Sequence, residues 1–152
     1  MSGNNIFAGA DDGGYGINGV FLSTNNGISW TQVNSGLPSN AQISSFAVSG
    51  SNIYANVNNG VYLSTNNGTN WIKANNGLPS LTRGQFAVAG NNVFLGTPYG
   101  LFVTNNNGNV WKKKNSGLPN PSPNISSITI SNDTLFIGTN YGVYLSVNNG
   151  EY

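Results

Sequence analysis

A period of about 41 residues runs through the chain and constrains its fold more than any other feature. The turn glycines Gly27, Gly68, Gly108 and Gly150 stand 41, 40 and 42 residues apart. The triplets Gly36-Leu37-Pro38, Gly77-Leu78-Pro79 and Gly117-Leu118-Pro119 keep the same step. A unit of this length is one supersecondary element that cannot bury its apolar face alone, so neighbouring units must stack and share a core.

Within the repeat at residues 43–79, four short runs rich in β-branched and aromatic residues are separated by Gly, Asn and Pro, which is the pattern of strands and turns. They are 43–48, 52–57, 61–64 and 71–74. Counterparts recur at 85–89 and 125–131 for the first strand, and at 92–96 and 134–138 for the second. No helical period appears. Four strands of about five residues in about 40 match a blade of a β-propeller, and β-solenoids, with shorter repeats, rank second. The expected class is therefore all-β: a partial propeller of about four blades of four-stranded antiparallel sheet, forming a single repeat domain. The repeats fall at about 1–38, 39–79, 80–119 and 120–152. The first opens at its second strand (Ile6-Phe7-Ala8-Gly9) and the last stops inside its turn at Tyr152, so the strand tally is three, four, four and three.

The connection between third and fourth strands reads Ser23-Thr24-Asn25-Asn26-Gly27-Ile28-Ser29-Trp30, then Ser64-Thr65-Asn66-Asn67-Gly68-Thr69-Asn70-Trp71, then Thr104-Asn105-Asn106-Asn107-Gly108-Asn109-Val110-Trp111. Ser146, Asn148 and Gly150 begin a fourth copy. This resembles the Asp-box, or BNR repeat, with the pattern Ser-x-Asp-x-Gly-x-Thr-Trp, found in sialidases, sortilin-type receptors and photosystem assembly factors. The resemblance implies a propeller in which the boxes are structural and lie away from any active site. One departure is systematic: Asn25, Asn66, Asn106 and Asn148 replace the aspartate. Asparagine keeps the acceptor oxygen of an Asx turn but removes the negative charge a calcium site would use. The box glycines are expected to supply positive φ, and the tryptophans to cover the hairpin.

Sialidase chemistry needs three arginines, and Arg83 is the single one here. A generic glycosidase needs two carboxylates at a defined separation, and the four acids are Asp11, Asp12, Asp133 and Glu151. All four read as turn or terminal residues. Histidine and cysteine are absent, which removes the commonest general base and the soft metal ligands together. The expectation is a chain that is not an enzyme and has no cofactor or metal: a scaffold for protein or glycan binding, or for structural self-assembly. A glycosidase remnant completed by a partner chain and a multivalent lectin are the alternatives. Tyr15, Tyr99 and Tyr141, in loops between second and third strands, are the candidate ligand contacts.

Charged residues make up 6% of the chain and the net charge is +1, against roughly 25% charged in an average domain. No field is available to steer nucleic acid or an anionic membrane, so neither partner is expected. Lys112-Lys113-Lys114 fall on a fourth, outermost strand, where lysines discourage edge-to-edge aggregation. The incomplete terminal blades predict head-to-tail homo-oligomers, either a dimeric ring or a filament, that cover apolar residues such as Ile6, Phe7, Phe136 and Tyr144. The Asn-rich wording also resembles repeat regions of secreted Bacteroidetes-type proteins, which implies an extracellular or cell-surface location.

Overall fold

The computed structural model describes residues 5–10, 18–58, 60–80, 82–105, 107–119, 123–132 and 134–148. Among these, fourteen strands form four antiparallel sheets with no helix. The first sheet is β1 (Ile6–Ala10), β2 (Gly19–Ser23) and β3 (Thr31–Gln32). The second is β4 (Ile43–Ser49), β5 (Asn52–Val57), β6 (Gly60–Ser64) and β7 (Ile72–Lys73). The third is β8 (Gln85–Ala89), β9 (Asn92–Thr97), β10 (Gly100–Thr104) and β11 (Lys112–Lys113), and the fourth is β12 (Ile125–Ser131), β13 (Thr134–Thr139) and β14 (Gly142–Ser146). Each sheet is a simple up-and-down meander, and the tally of three, four, four and three agrees with the reading of the repeat.

The fourth strand of each blade is shorter than its sequence pattern. It is two residues long, pairing Phe21 with Gln32 and Leu22 with Thr31 in the first sheet, and equivalently in the next two. Trp71 does not join the ladder of its own blade, because its backbone N–H is donated to the Ser35 carbonyl of the preceding repeat, 2.9 Å away. Trp111 does the same with the Asn76 carbonyl at 2.8 Å.

The core consists of the seams between sheets. Period-two alternation along β5 sends Ile53, Ala55 and Val57 toward the first sheet, where they meet Val20 and Ala41, and sends Tyr54 toward the third. There Tyr54, Phe86 and Trp111 form an aromatic cluster with ring centroids 6.3 Å apart in each pair and Tyr54 edge-on to the indole at 81°. The third seam holds Phe94, Leu101, Ile125, Leu135 and Ile137. Burial pushes the Tyr54 phenol above its ordinary pKa, and a hydrogen bond with Asn52 partly offsets this.

The same alternation corrects the expected open faces. Ile6 and Phe136 do fall on the outer faces of the first and last sheets. Phe7 instead packs into the first seam, and Tyr144 lines a cavity between the third and fourth sheets. Ile28 and Trp30 are exposed on the first sheet's side, and Val143, Leu145 and Val147 on the last sheet's.

Each of the first three box connections contains one tight turn. Ile28 N–H is donated to the Asn25 carbonyl at 3.3 Å, and Thr69 N–H to that of Asn66 at 3.2 Å. The two central residues both have positive φ: 59° and 87° for Asn26 and Gly27, 55° and 82° for Asn67 and Gly68, 58° and 74° for Asn107 and Gly108. This is the sign pair of a type I′ turn, for which Asn-Gly is the preferred dipeptide. Gly68→Val is expected to cost about 1–3 kcal/mol through φ alone. Crowding adds to this, since a Cβ there would lie 2.9 Å from Phe7 Cε1 and 3.3 Å from Val33 Cγ2. Chemical denaturation checks it, and an unchanged midpoint would contradict the turn assignment.

Candidate functional site

Successive antiparallel strands divide the connections between two ends of the structure. The boxes share one end with the turns between first and second strands. The loops between second and third strands share the other with the Gly-Leu-Pro connectors.

At the box end, the hydroxyl of the first box residue organises the turn. Ser23 Oγ donates to Asn25 Oδ1 at 3.0 Å and accepts the Gly27 N–H at 2.8 Å; Ser64 does the same with Asn66 at 2.9 Å and Gly68 at 2.9 Å. Asn25 Oδ1 also accepts the Ser29 N–H, and Asn66 Oδ1 the Asn70 N–H, each at 2.9 Å. Thr104 Oγ1 accepts the Gly108 N–H at 3.2 Å, and Ser146 Oγ donates to Asn148 Oδ1 at 2.7 Å. The amide oxygen does the capping expected of it. The residue in left-handed geometry is the next asparagine, a division of labour that the pattern alone did not reveal. Asn106 and Gly150 lie outside the described residues.

The tryptophans do more than cover the hairpin. The rings of Trp30 and Trp71 lie over their own boxes, with a Cβ on Gly27 or Gly68 coming 3.8 or 3.7 Å from Cζ2 of Trp30 or Trp71. The indole N–H of Trp71, however, is donated to the Val33 carbonyl at 2.9 Å, and that of Trp111 to the Ala74 carbonyl at 2.8 Å, both in the preceding repeat. These two side chains are 2% exposed, whereas Trp30 is 43% exposed. The box glycines share the seam, since Gly68 faces Phe7 and Val33, and Gly108 faces Tyr54 and Ala74. The box is thus a joint between blades as well as a turn.

At the loop end, Tyr99 and Tyr141 occupy equivalent places. Thr97 Oγ1 accepts the Tyr99 N–H at 3.0 Å and donates to the Gly100 carbonyl at 2.8 Å, and Thr139 repeats this with Tyr141 and Gly142 at 3.0 Å each. Both rings are exposed. Tyr15 lies outside the described residues, as do Asp11, Asp12, Asp133 and Glu151; among the described residues, the candidate tyrosines Tyr99 and Tyr141 stand at this end. Arg83 reaches Gln42 Oε1 at 3.4 Å. Below this surface Asn56 is fully buried in the second seam. Its Oδ1 accepts from Ser44 Oγ at 2.5 Å and Gly84 N–H at 3.1 Å, and its Nδ2 donates to the Thr82 carbonyl at 3.2 Å. The aligned positions in the other repeats are Gly9, Gly96 and Gly138, and that break in the repeat was the available signal for it.

Two depressions escaped the sequence reading. An amide-rich one at the box end is lined by Ser49, Ser51, Asn52, Asn91, Asn105 and Asn107, with Asn52 Nδ2 donating to Asn107 Oδ1 at 2.8 Å. A more apolar one lies between the third and fourth sheets, against Leu118, Ile137 and Tyr144.

No curated protein matches the chain in sequence. Solved structures share its fold. A GH74 xyloglucanase from Xanthomonas campestris superposes with a TM-score of 0.77 at 17% identity, over 99% of this chain and 28% of that one. PorZ, a bacterial surface component of the type-IX secretion system of Porphyromonas gingivalis, gives 0.64 at 18% identity over 86% and 22%. YCF48 from Cyanidioschyzon merolae gives 0.56 at 19% over 84% and 46%. The chain therefore spans under half the length of each of these proteins. With four sheets stacked face to face as blades, and with residues 2–140 matching the family described as the DUF6242 beta propeller domain, the chain belongs to that family.

Proposed function

We propose that the chain is a non-catalytic propeller module of the Asp-box type that works by presenting surfaces to other proteins, its blade faces assembling head to tail. One observation carries this reading: the two ends of the stack expose complementary halves of the seam used inside it. Trp30 stands where Trp71 and Trp111 are buried. Val143 and Leu145, 76% and 63% exposed, stand where Val61 and Leu63 of β6 are covered by the next blade. Joining one end to the other reproduces a heterologous contact, which closes into a ring or continues as a filament. The exposed Tyr99 and Tyr141, and the amide-lined depression, give the same module surfaces suited to protein or glycan. PorZ's description as a surface component favours display outside the cell.

The likeness to GH74 enzymes favours a second reading, a glycoside hydrolase segment whose carboxylates would come from Asp11, Asp12, Asp133 or Glu151. One experiment separates the two. Size exclusion with light scattering is expected to give a dimer or larger species that Trp30→Ala with Val143→Asp returns to monomer. Fractions mixed with xyloglucan should leave it intact. A cooperatively melting monomer would sink the assembly reading, and hydrolysis lost on Asp11→Asn or Asp12→Asn would replace it with the enzymatic one.

A further inference from the structure

The centres of the first three box turns are the pairs Asn26-Gly27, Asn67-Gly68 and Asn107-Gly108. Asn-Gly is the dipeptide that a type I′ turn prefers, and it is also the one whose side-chain amide is least durable in water. Glycine has no side chain to shield its backbone nitrogen, so that nitrogen can attack the carbonyl carbon of the preceding asparagine side chain. The N–H proton is lost to base, the bond from nitrogen to Cγ forms, the Cγ–Nδ2 bond breaks and ammonia leaves. Water then opens the cyclic imide at either carbonyl, giving aspartate or isoaspartate. In sum one water is consumed and one ammonia released, with no oxidant or cofactor.

The box turn opposes this ring closure at two points. Both central residues have positive φ in all three turns, and a type I′ turn sets ψ of its first central residue at about +30°. The glycine nitrogen then lies across the Cα–C bond from the asparagine Cβ, whereas the imide closes only when the two are eclipsed. The proton that must leave is also held. Gly27 N–H is donated to Ser23 Oγ at 2.8 Å, Gly68 N–H to Ser64 Oγ at 2.9 Å and Gly108 N–H to Thr104 Oγ1 at 3.2 Å. In the second and third boxes the glycine is buried as well, Gly68 against Phe7 and Val33, Gly108 against Tyr54 and Ala74. Asn67 and Asn107 are themselves exposed, so their amides meet water as soon as the turn relaxes.

We propose that Asn67 and Asn107 are latent deamidation sites, kept as amides by the hydroxyl of the first box residue and by the left-handed turn that it braces. Ser64 and Thr104 thus protect a bond as well as shape a hairpin. Aspartate here would place a negative charge at the turn, and isoaspartate an extra main-chain methylene, in a hairpin whose glycine packs into the seam. The inference rests on the turn alone and holds whatever the module binds.

The test uses the intact chain, aged at mildly alkaline pH and followed by peptide mapping with mass spectrometry, which reads the exchange of –NH2 for –OH at each asparagine. Asn67 should react at least about tenfold more slowly in the folded chain than in a synthetic peptide of residues 62–73, because the turn must first open. Ser64→Ala should speed the reaction at Asn67 by about tenfold, the rate change that matches one hydrogen bond of about 1.4 kcal/mol. Asn107 in the same molecule keeps its parent rate. Thr104→Val should do the reverse, so the proposal stays testable if either variant folds poorly. Ser64→Thr, which supplies the hydroxyl that the third box uses, should restore protection. Ile53→Val, a core change in the same blade, loosens the fold by packing alone and leaves the hydroxyl in place. Equal rates in chain and peptide, no acceleration on removal of the hydroxyl, or equal acceleration by Ile53→Val would each overturn the proposal.

Discussion

Trp71→Ala is expected to destabilise the chain by about 3–5 kcal/mol, the range for deleting a large buried aromatic, while Trp30→Ala costs under about 1 kcal/mol, as at an exposed site. The two residues occupy the same place in successive repeats and differ in burial, 2% against 43% exposed. Trp71 loses its packing in the first seam and leaves the Val33 carbonyl without the indole N–H that it accepts at 2.9 Å. Denaturant melts read the difference directly, and at this chain length each kcal/mol moves the thermal midpoint by roughly 2–4 °C. Equal losses at the two positions would mean that the indole serves only its own turn and that the seam is held by other contacts.

The second large effect is expected at Asn56. Replacing it with leucine keeps the volume close but leaves the Gly84 N–H and the Thr82 carbonyl facing an apolar side chain. Each unsatisfied buried group costs about 1–3 kcal/mol, so the two together give a loss of about 2–6 kcal/mol. Ser35→Ala supplies the contrast. Its hydroxyl bond to Asn70 is exposed, water replaces it, and the change should stay within about 0.5 kcal/mol. Equilibrium unfolding of the two variants checks both. If Asn56→Leu proved neutral, the buried amide network would be dispensable and the second seam would be purely apolar in its energetics.

The repeat made the architecture legible because strands, turns and their order are local properties, settled within 41 residues by alternation and by Gly and Asn. The sheet tally and the edge position of Lys112 and Lys113 followed from that alone. What the period did not display is contact between units. The indole of Trp71 and its acceptor are 38 residues apart, and nothing in the wording of one repeat says that its tryptophan leaves its own ladder for a neighbour's carbonyl. The fourth strand was accordingly read two residues too long at Trp71 and Ala74. Tyr99 and Tyr141 were legible as loop residues, each beside a glycine, Gly100 or Gly142. The depression beside Gly117 was not, because its walls come from two different repeats.

The seam also bears on how such a chain changes its length over evolutionary time. Every blade offers one face to its predecessor and the opposite face to its successor, using aligned residues each time. An in-frame gain or loss of one 40- to 42-residue unit therefore adds or removes an interior joint while both terminal surfaces keep their chemistry. Stability then rises in near-equal steps with copy number, and a change of count by whole repeats needs no new interface.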